Sequence, residues 1–186
     1  MKAILLFIFG TICGLALATP AVSAHLHLLL SAIRGVRVGQ GETRAHTEEK
    51  FAFTANAQME RVAPLFGADK ERAWAPMWDP QFIYPSSAKD VPGMVFTVAH
   101  HHLQAAWVNT EFDIANGRIQ YVYMVPEIMV TLITLRLQPH GKQTLVEVEY
   151  DRTALSPGAD ARVREMAQQD RVSGPEWEYQ INQYLQ

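Results

Sequence analysis

Cysteine is nearly missing from this chain: among 186 residues there is one, Cys13, near the start. A disulfide-held fold is thereby excluded, as is a cysteine nucleophile or a thiolate metal centre in the body of the chain. Basic charge is scarce as well. Sixteen Lys and Arg against nineteen Asp and Glu give a formal net charge of −3, with no broad positive field to hold a nucleic-acid backbone. No Gly-x-Ser-x-Gly elbow and no His-x-x-x-His helix occurs, and Gly39-Gln40-Gly41 is too short for a phosphate loop. Nucleophilic catalysis, a metal centre and a cofactor are therefore not expected.

What is present begins with a targeting pattern. Residues 1–24 carry Lys2 as their single charge, an apolar stretch from Ala3 to Ala18, a Thr19-Pro20 break and Val22-Ser23-Ala24. That is the layout of a secretory signal cleaved before His25, and it predicts an exported protein, periplasmic or secreted. The apolar centre is shorter than the roughly 20 residues of a spanning helix. His25 to Leu30 extends it, so residues 3–30 acting as an uncleaved membrane anchor is the alternative. Thr11-Ile12 ahead of Cys13 fits lipid attachment poorly. Residues 25–47, with Gly35, Gly39 and Gly41 among Arg34, Arg37, Glu42 and Arg44, read as a flexible leader.

The folded domain is expected over residues 48–186. Glu49 to Thr54 alternates as a strand with Phe51 and Phe53 on one face. Asn56 can cap a helix over Ala57 to Phe66 that Gly67 ends, with a second short helix over Asp69 to Ala73. Six strands follow: Phe82–Pro85, Met94–His100, Ala105–Ile114, Arg118–Val125, Met129–Gln138 and Thr144–Arg152. Asn116-Gly117 and His140-Gly141 supply turns between them, so the sheet is an antiparallel meander. Ala159 to Val172 has helical composition, and Ser173-Gly174-Pro175-Glu176 matches a capping box ahead of Trp177, Ile181 and either Tyr184 or Leu185. These elements predict an α+β chain whose kinked C-terminal helix lies across the sheet.

Particular words reinforce that order. Pro64-Leu65-Phe66, Glu71, Trp74, Trp78-Asp79-Pro80, Tyr84-Pro85 and Gly93 to Thr97 resemble members of the SRPBCC superfamily, the START-like or polyketide cyclase-like proteins. Trp107-Val108, Asp113, Tyr150 and Thr153-Ala154-Leu155 fit the same pattern, so the resemblance runs from about Glu48 to Leu185. It implies a helix-grip fold, an antiparallel sheet curved around a long C-terminal helix, with an internal cavity. It leaves the reaction open, because lipid carriers, hormone receptors, cyclases and oxygenase domains share that architecture.

Strand parity gives the expected inner face. Thr131, Ile133, Leu135 and Leu137 point inward opposite Arg136 and Gln138; Val146, Val148 and Tyr150 do so opposite Glu147 and Glu149. Ile119, Tyr121, Tyr123 and Val125 follow on the strand after the hairpin. Before the hairpin, Thr110 and Phe112 are expected inside, with Asn109, Glu111 and Asp113 towards solvent. The resulting candidates for contact with a ligand are Trp78, Tyr84, Phe96, His100 and Thr110, then Tyr121, Tyr123, Thr131, Ile133 and Trp177. Adjacent histidines on a strand diverge, so His100, His101 and His102 cannot converge on one metal ion; only His100 is expected to reach the cavity mouth.

The expected function is binding or carriage of a small hydrophobic or amphipathic molecule outside the cytoplasm. The alternative is a cyclase or dehydratase using Tyr121, Tyr123 or His100 as general acid or base. The expected partner is the small ligand itself, with membrane association only through an uncleaved N-terminal segment.

Overall fold

The computed structural model describes residues 43–100 and 103–186, with the backbone alone at His100 and Leu103. The signal, most of the leader, His101 and His102 lie outside the described residues. Seven strands form one sheet: β1 (His46–Ala55), β2 (Gln81–Tyr84), β3 (Val95–His100), β4 (Leu103–Asp113), β5 (Arg118–Val125), β6 (Met129–His140) and β7 (Gln143–Ala154). Their order is β1-β7-β6-β5-β4-β3-β2, every pair antiparallel. The run from β3 to β7 is thus a meander, and β1 and β2 are its edges.

Alternation decides which face is covered. Ile119, Tyr121, Tyr123 and Val125 of β5 are buried, as are Thr131, Ile133, Leu135 and Leu137 of β6 and Val146, Val148 and Tyr150 of β7. These positions match the parity expectation, since a pleated strand sends every second side chain to one side.

On β4 the parity expectation fails. Asn109 pairs with Tyr121 and Glu111 with Gln120, so the strand carries a bulge at Thr110. An extra residue reverses the faces beyond it. Counting back from the hairpin therefore put Thr110 inside and Asn109 outside, whereas Asn109 is fully buried and Thr110 is exposed. The Thr110 hydroxyl bonds the Gln120 carbonyl at 3.1 Å and its side-chain oxygen at 2.9 Å, on the outer face.

The turn between β4 and β5 is tight. Residues 114–116 make one 3-10 turn, the Asp113 carboxylate accepts the Asn116 N–H at 3.2 Å, and Gly117 adopts φ 65°. A Cβ at Gly117 would also collide with the Leu137 carbonyl oxygen, so glycine is required there twice over.

Between β1 and β2 the chain is mostly irregular. Helix α1 is one turn, Met59–Val62, and becomes a 3-10 turn over Ala63–Phe66, where Pro64 removes a backbone donor. Asn56 does not cap it. Its side chain accepts from Gln143 Nε2 at 2.6 Å, and its backbone N–H goes to Asn182 Oδ1 at 2.7 Å. Gly67 is not a left-handed cap either, having φ −70° and ψ 141°. A side chain there would run into the Asp90 carboxylate, so its smallness makes room for that group. A further 3-10 turn, Lys70–Ala73, stands where the second helix was expected.

Two helices close the chain, α2 (Asp160–Asp170) and α3 (Gly174–Leu185). The expected capping box does not form. Ser173 is itself helical, and its hydroxyl donates back to the Gln169 carbonyl at 2.9 Å. Gly174 instead permits close approach, since a Cβ there would lie 3.3 Å from the Ala52 carbonyl oxygen of β1. From that start α3 fully buries Ile181 and sends Trp177 among Phe51, Phe53, Phe66 and Trp74, with ring centroids 5.4–6.3 Å apart.

Trp177 therefore ties helix, sheet and the irregular segment together. Trp177→Ala should lower stability by about 3 kcal/mol, the lower end for loss of a large aromatic because the ring is half-buried. Chemical denaturation measures it; an unchanged midpoint would mean that α3 does not grip the sheet.

Candidate ligand cavity

A cavity of about 260 Å³ lies between the inner face of the sheet, the 71–78 segment and α3. Its walls are largely aromatic. All four tryptophans of the chain, Trp74, Trp78, Trp107 and Trp177, contribute to them. Phe96, Tyr121 and Tyr150 add further rings, with Ile133 and Leu135 beneath. The remaining polar side chains on the wall are Glu71, Glu176 and Gln180.

The rings hold one another at fixed angles. Trp107 stacks on Tyr123 at 4.3 Å and on Phe96 at 5.7 Å, while Trp78 meets Trp107 edge-on at 5.2 Å. The Trp74 and Trp78 indole N–H groups donate to the Leu65 and Ala68 carbonyls, each at 2.7 Å. These bonds satisfy two loop carbonyls and fix the planes of the two rings. Trp107 Nε1 and both side-chain polar atoms of Asn109 are buried without a hydrogen-bond partner.

Beside the wall, in the next row of the same sheet face, sits a polar cluster. Arg152 donates to Asp170 through two nitrogens, at 2.8 and 2.9 Å, to Thr131 Oγ1 at 3.0 Å, and to the Tyr123 hydroxyl. Its guanidinium lies 4.5 Å from the Tyr150 ring centroid. Burial works against the Arg152 charge, but the Asp170 carboxylate outweighs it and holds the pKa above the ordinary arginine value. The Tyr123 and Thr131 hydroxyls are thus committed to structure.

A second cluster lies at the loop side. Asp90 accepts the Ala68 N–H at 2.9 Å, and Tyr121 donates its hydroxyl to the Phe66 carbonyl at 2.5 Å. Glu71 accepts no hydrogen bond from the described residues. Burial pushes its carboxyl well above the usual range, and the nearby Asp90 charge adds to the effect. Asp90 is raised by burial too, against the opposing Ala68 N–H. Burial first, then the charges of Glu71 and Asp90, raise Tyr121.

Of the ten residues expected at a ligand, five reach the wall: Trp78, Phe96, Tyr121, Ile133 and Trp177. Tyr123 and Thr131 lie in the next cross-strand row of the same face, held by Arg152. Thr110 is on the outer face for the reason given above, and Tyr84 is 64% exposed on the edge strand β2, away from the wall. The side chain of His100 lies outside what is described; its backbone pairs with Leu103 where β3 passes to β4.

Sequence reasoning missed Glu71, Trp74 and Trp107 as wall residues, though all three stand in the motif that carried the resemblance. It also missed Arg152, which parity alone could have found, since it continues the inward series Val146, Val148, Tyr150. Glu111 and Asp113 pair with Arg118 at 2.7 and 2.6 Å on the surface, as surface carboxylates do. One group with metal-ligand spacing, His46, Glu48 and Asp151, is gathered on the outside of β1 and β7.

No family model and no curated protein matches the chain. Solved structures do. Norcoclaurine synthase from Thalictrum flavum superposes with a TM-score of 0.58 at 10% identity, covering 80% of this chain and 94% of that one. Ara h 8.0201 gives 0.55 at 10%, covering 76% and 98%, and a protein from Rhizobium loti gives 0.53 at 16%, covering 77% and 99%. The likeness is one of architecture. This chain has an α+β helix-grip fold, the architecture of those structures.

The raised carboxyls set a pH dependence. A carboxyl whose pKa is higher folded than unfolded binds a proton more tightly in the folded state, so its contribution is full at acid pH. That contribution is lost as pH rises from about its usual 4.5 through the folded value. Glu71→Gln, neutral throughout, should gain melting temperature relative to the parent as pH rises through that window. A constant difference across a pH series of thermal melts would remove Glu71 as the source.

Proposed function

We propose that this protein binds a small, largely apolar molecule in the cavity and does so outside the cytoplasm. One observation carries the reading: all four tryptophans, drawn from the irregular segment, β4 and α3, converge on one cavity. A wall that is mostly ring, with a few polar groups, is the composition of a small-molecule site. The helix-grip architecture adds support at the level of fold. Export rests on the pattern of residues 1–24; among the described residues no helix is long and apolar enough to cross a membrane.

A second reading, catalysis on the bound molecule, has Glu71 behind it. Tyr121 and Tyr123 serve it badly, because one hydroxyl is bound to the Phe66 carbonyl and the other to Arg152. A carboxyl on the cavity wall whose proton affinity burial raises is a candidate general acid. On this reading Glu71→Gln abolishes turnover and leaves binding of a neutral ligand intact.

The binding reading is tested with the full chain and the neutral dye N-phenyl-1-naphthylamine, which should bind in 1:1 proportion and quench tryptophan emission. Ile133→Trp fills the cavity from the sheet side and should weaken the dye by about tenfold or more, since it denies the site its volume. Dye affinity unchanged in a folded Ile133→Trp protein would place binding elsewhere and overturn the reading. For export, terminal sequencing of protein from the cell envelope should begin at His25.

A further inference from the structure

We infer that the molecule held in the cavity is a cation: a protonated or quaternary amine with an apolar body, its charge set against tryptophan faces and Glu71. The inference rests on the ligand-binding reading above and adds the sign of the ligand's charge.

Among the described residues, charge on the wall is of one sign: the ionisable groups lining the cavity are Glu71, Glu176, Tyr121 and Tyr150, with no Lys, Arg or His side chain beside them. The basic groups close by are committed elsewhere. Arg152 lies behind the Tyr150 ring in a two-nitrogen pair with Asp170. Arg72, next to Glu71 in sequence, turns outward to Asp79, Asp69 and the Pro80 carbonyl. Lys70 is exposed and acts on Asp90. A carboxyl facing a largely apolar space without a donor lacks the partner that would let it ionise at low cost. An amine supplies both a positive charge and N–H donors, or, when quaternary, the charge alone.

The rings point to the same class. An aromatic face is the negative end of a quadrupole, and indole is the strongest of the natural side chains in attracting a cation laid over it. The faces of Trp107 are covered by Tyr123 and Phe96, which leaves Trp74, Trp78 and Trp177, beside a carboxyl and with no basic side chain among the described lining residues, as the rings that can receive an ammonium group. A carboxylate or phosphate ligand would meet Glu71 and Glu176 with like charge and find no basic partner among the described residues of the wall. Glu176 stands exposed in the first turn of α3, at the rim, where its charge favours approach of a cation.

The test uses the full chain with phenyltrimethylammonium and its neutral isostere tert-butylbenzene, followed by tryptophan quenching and calorimetry. The cation should bind about tenfold or more tighter than the isostere. Glu71→Gln should erase most of that preference, read as the ratio of the two affinities; Glu176→Gln should have a smaller effect that salt suppresses. Equal affinities in the parent protein, or a preference that survives Glu71→Gln, would overturn the cation while the binding reading stands. Should neither probe bind and the neutral dye also fail, the binding reading falls and the cation with it. If Glu71→Gln does not fold, the ratio in the parent protein decides alone.

Discussion

The pairing of Arg152 with Asp170 is the constraint on which the inner structure depends. An arginine on the inward face of a sheet is costly to desolvate, and two charge-assisted bonds to one carboxylate are what make that position tolerable. Once the guanidinium is held, its remaining donors order Thr131 and Tyr123, and its face orders Tyr150. Tyr123 in turn carries Trp107, and Trp107 meets Trp78 and Phe96. The aromatic wall is therefore positioned from one side by a polar cluster in the neighbouring row of the same sheet face, which does not itself line the cavity. Removing either charge leaves the other buried without its partner, which costs more than the pair contributes.

The same pair joins distant parts of the chain. Arg152 belongs to β7, beside the edge strand β1, and Asp170 is the last residue of α2. On the outside, Arg171 repeats the connection with Glu49 of β1, at 2.5 and 2.6 Å. The exposed pair is screened by water and contributes little; the buried one fixes geometry. Sheet and helix are thereby registered where the chain passes from α2 to α3.

Much of the fold was legible in the sequence because its signals are periodic. β5 to β7 alternate cleanly, Gly117 and Gly141 mark turns, and a texture change after Gly158 announces helix. What could not be read were features that break a period or depend on three dimensions. The bulge at Thr110 adds one residue without any compositional sign, and it alone turned Asn109 inward. Gly67 and Gly174 resemble ordinary helix punctuation, yet each is small because another group, the Asp90 carboxylate or the Ala52 carbonyl, comes close. The wall was half legible: parity located Tyr121 and Ile133, while Glu71, Trp74 and Trp107 required knowing where an irregular segment folds back and where a strand slips register.

The position of Asp170 bears on how the cavity can open. α2 is pinned at its end by Arg152, and Arg171 to Ser173 follow at once as the joint into α3. Near its far end, α3 is tied by Asn182, whose amide nitrogen donates to the Thr54 carbonyl at 3.0 Å and whose oxygen accepts the Asn56 N–H at 2.7 Å. Trp177 lies between joint and tie. Helix α3 is thus held beside a buried charge at its start, by the fully buried Ile181 along its length and by Asn182 near its end, so the side chains that fix Trp177 in the cavity wall stand mostly outside that wall.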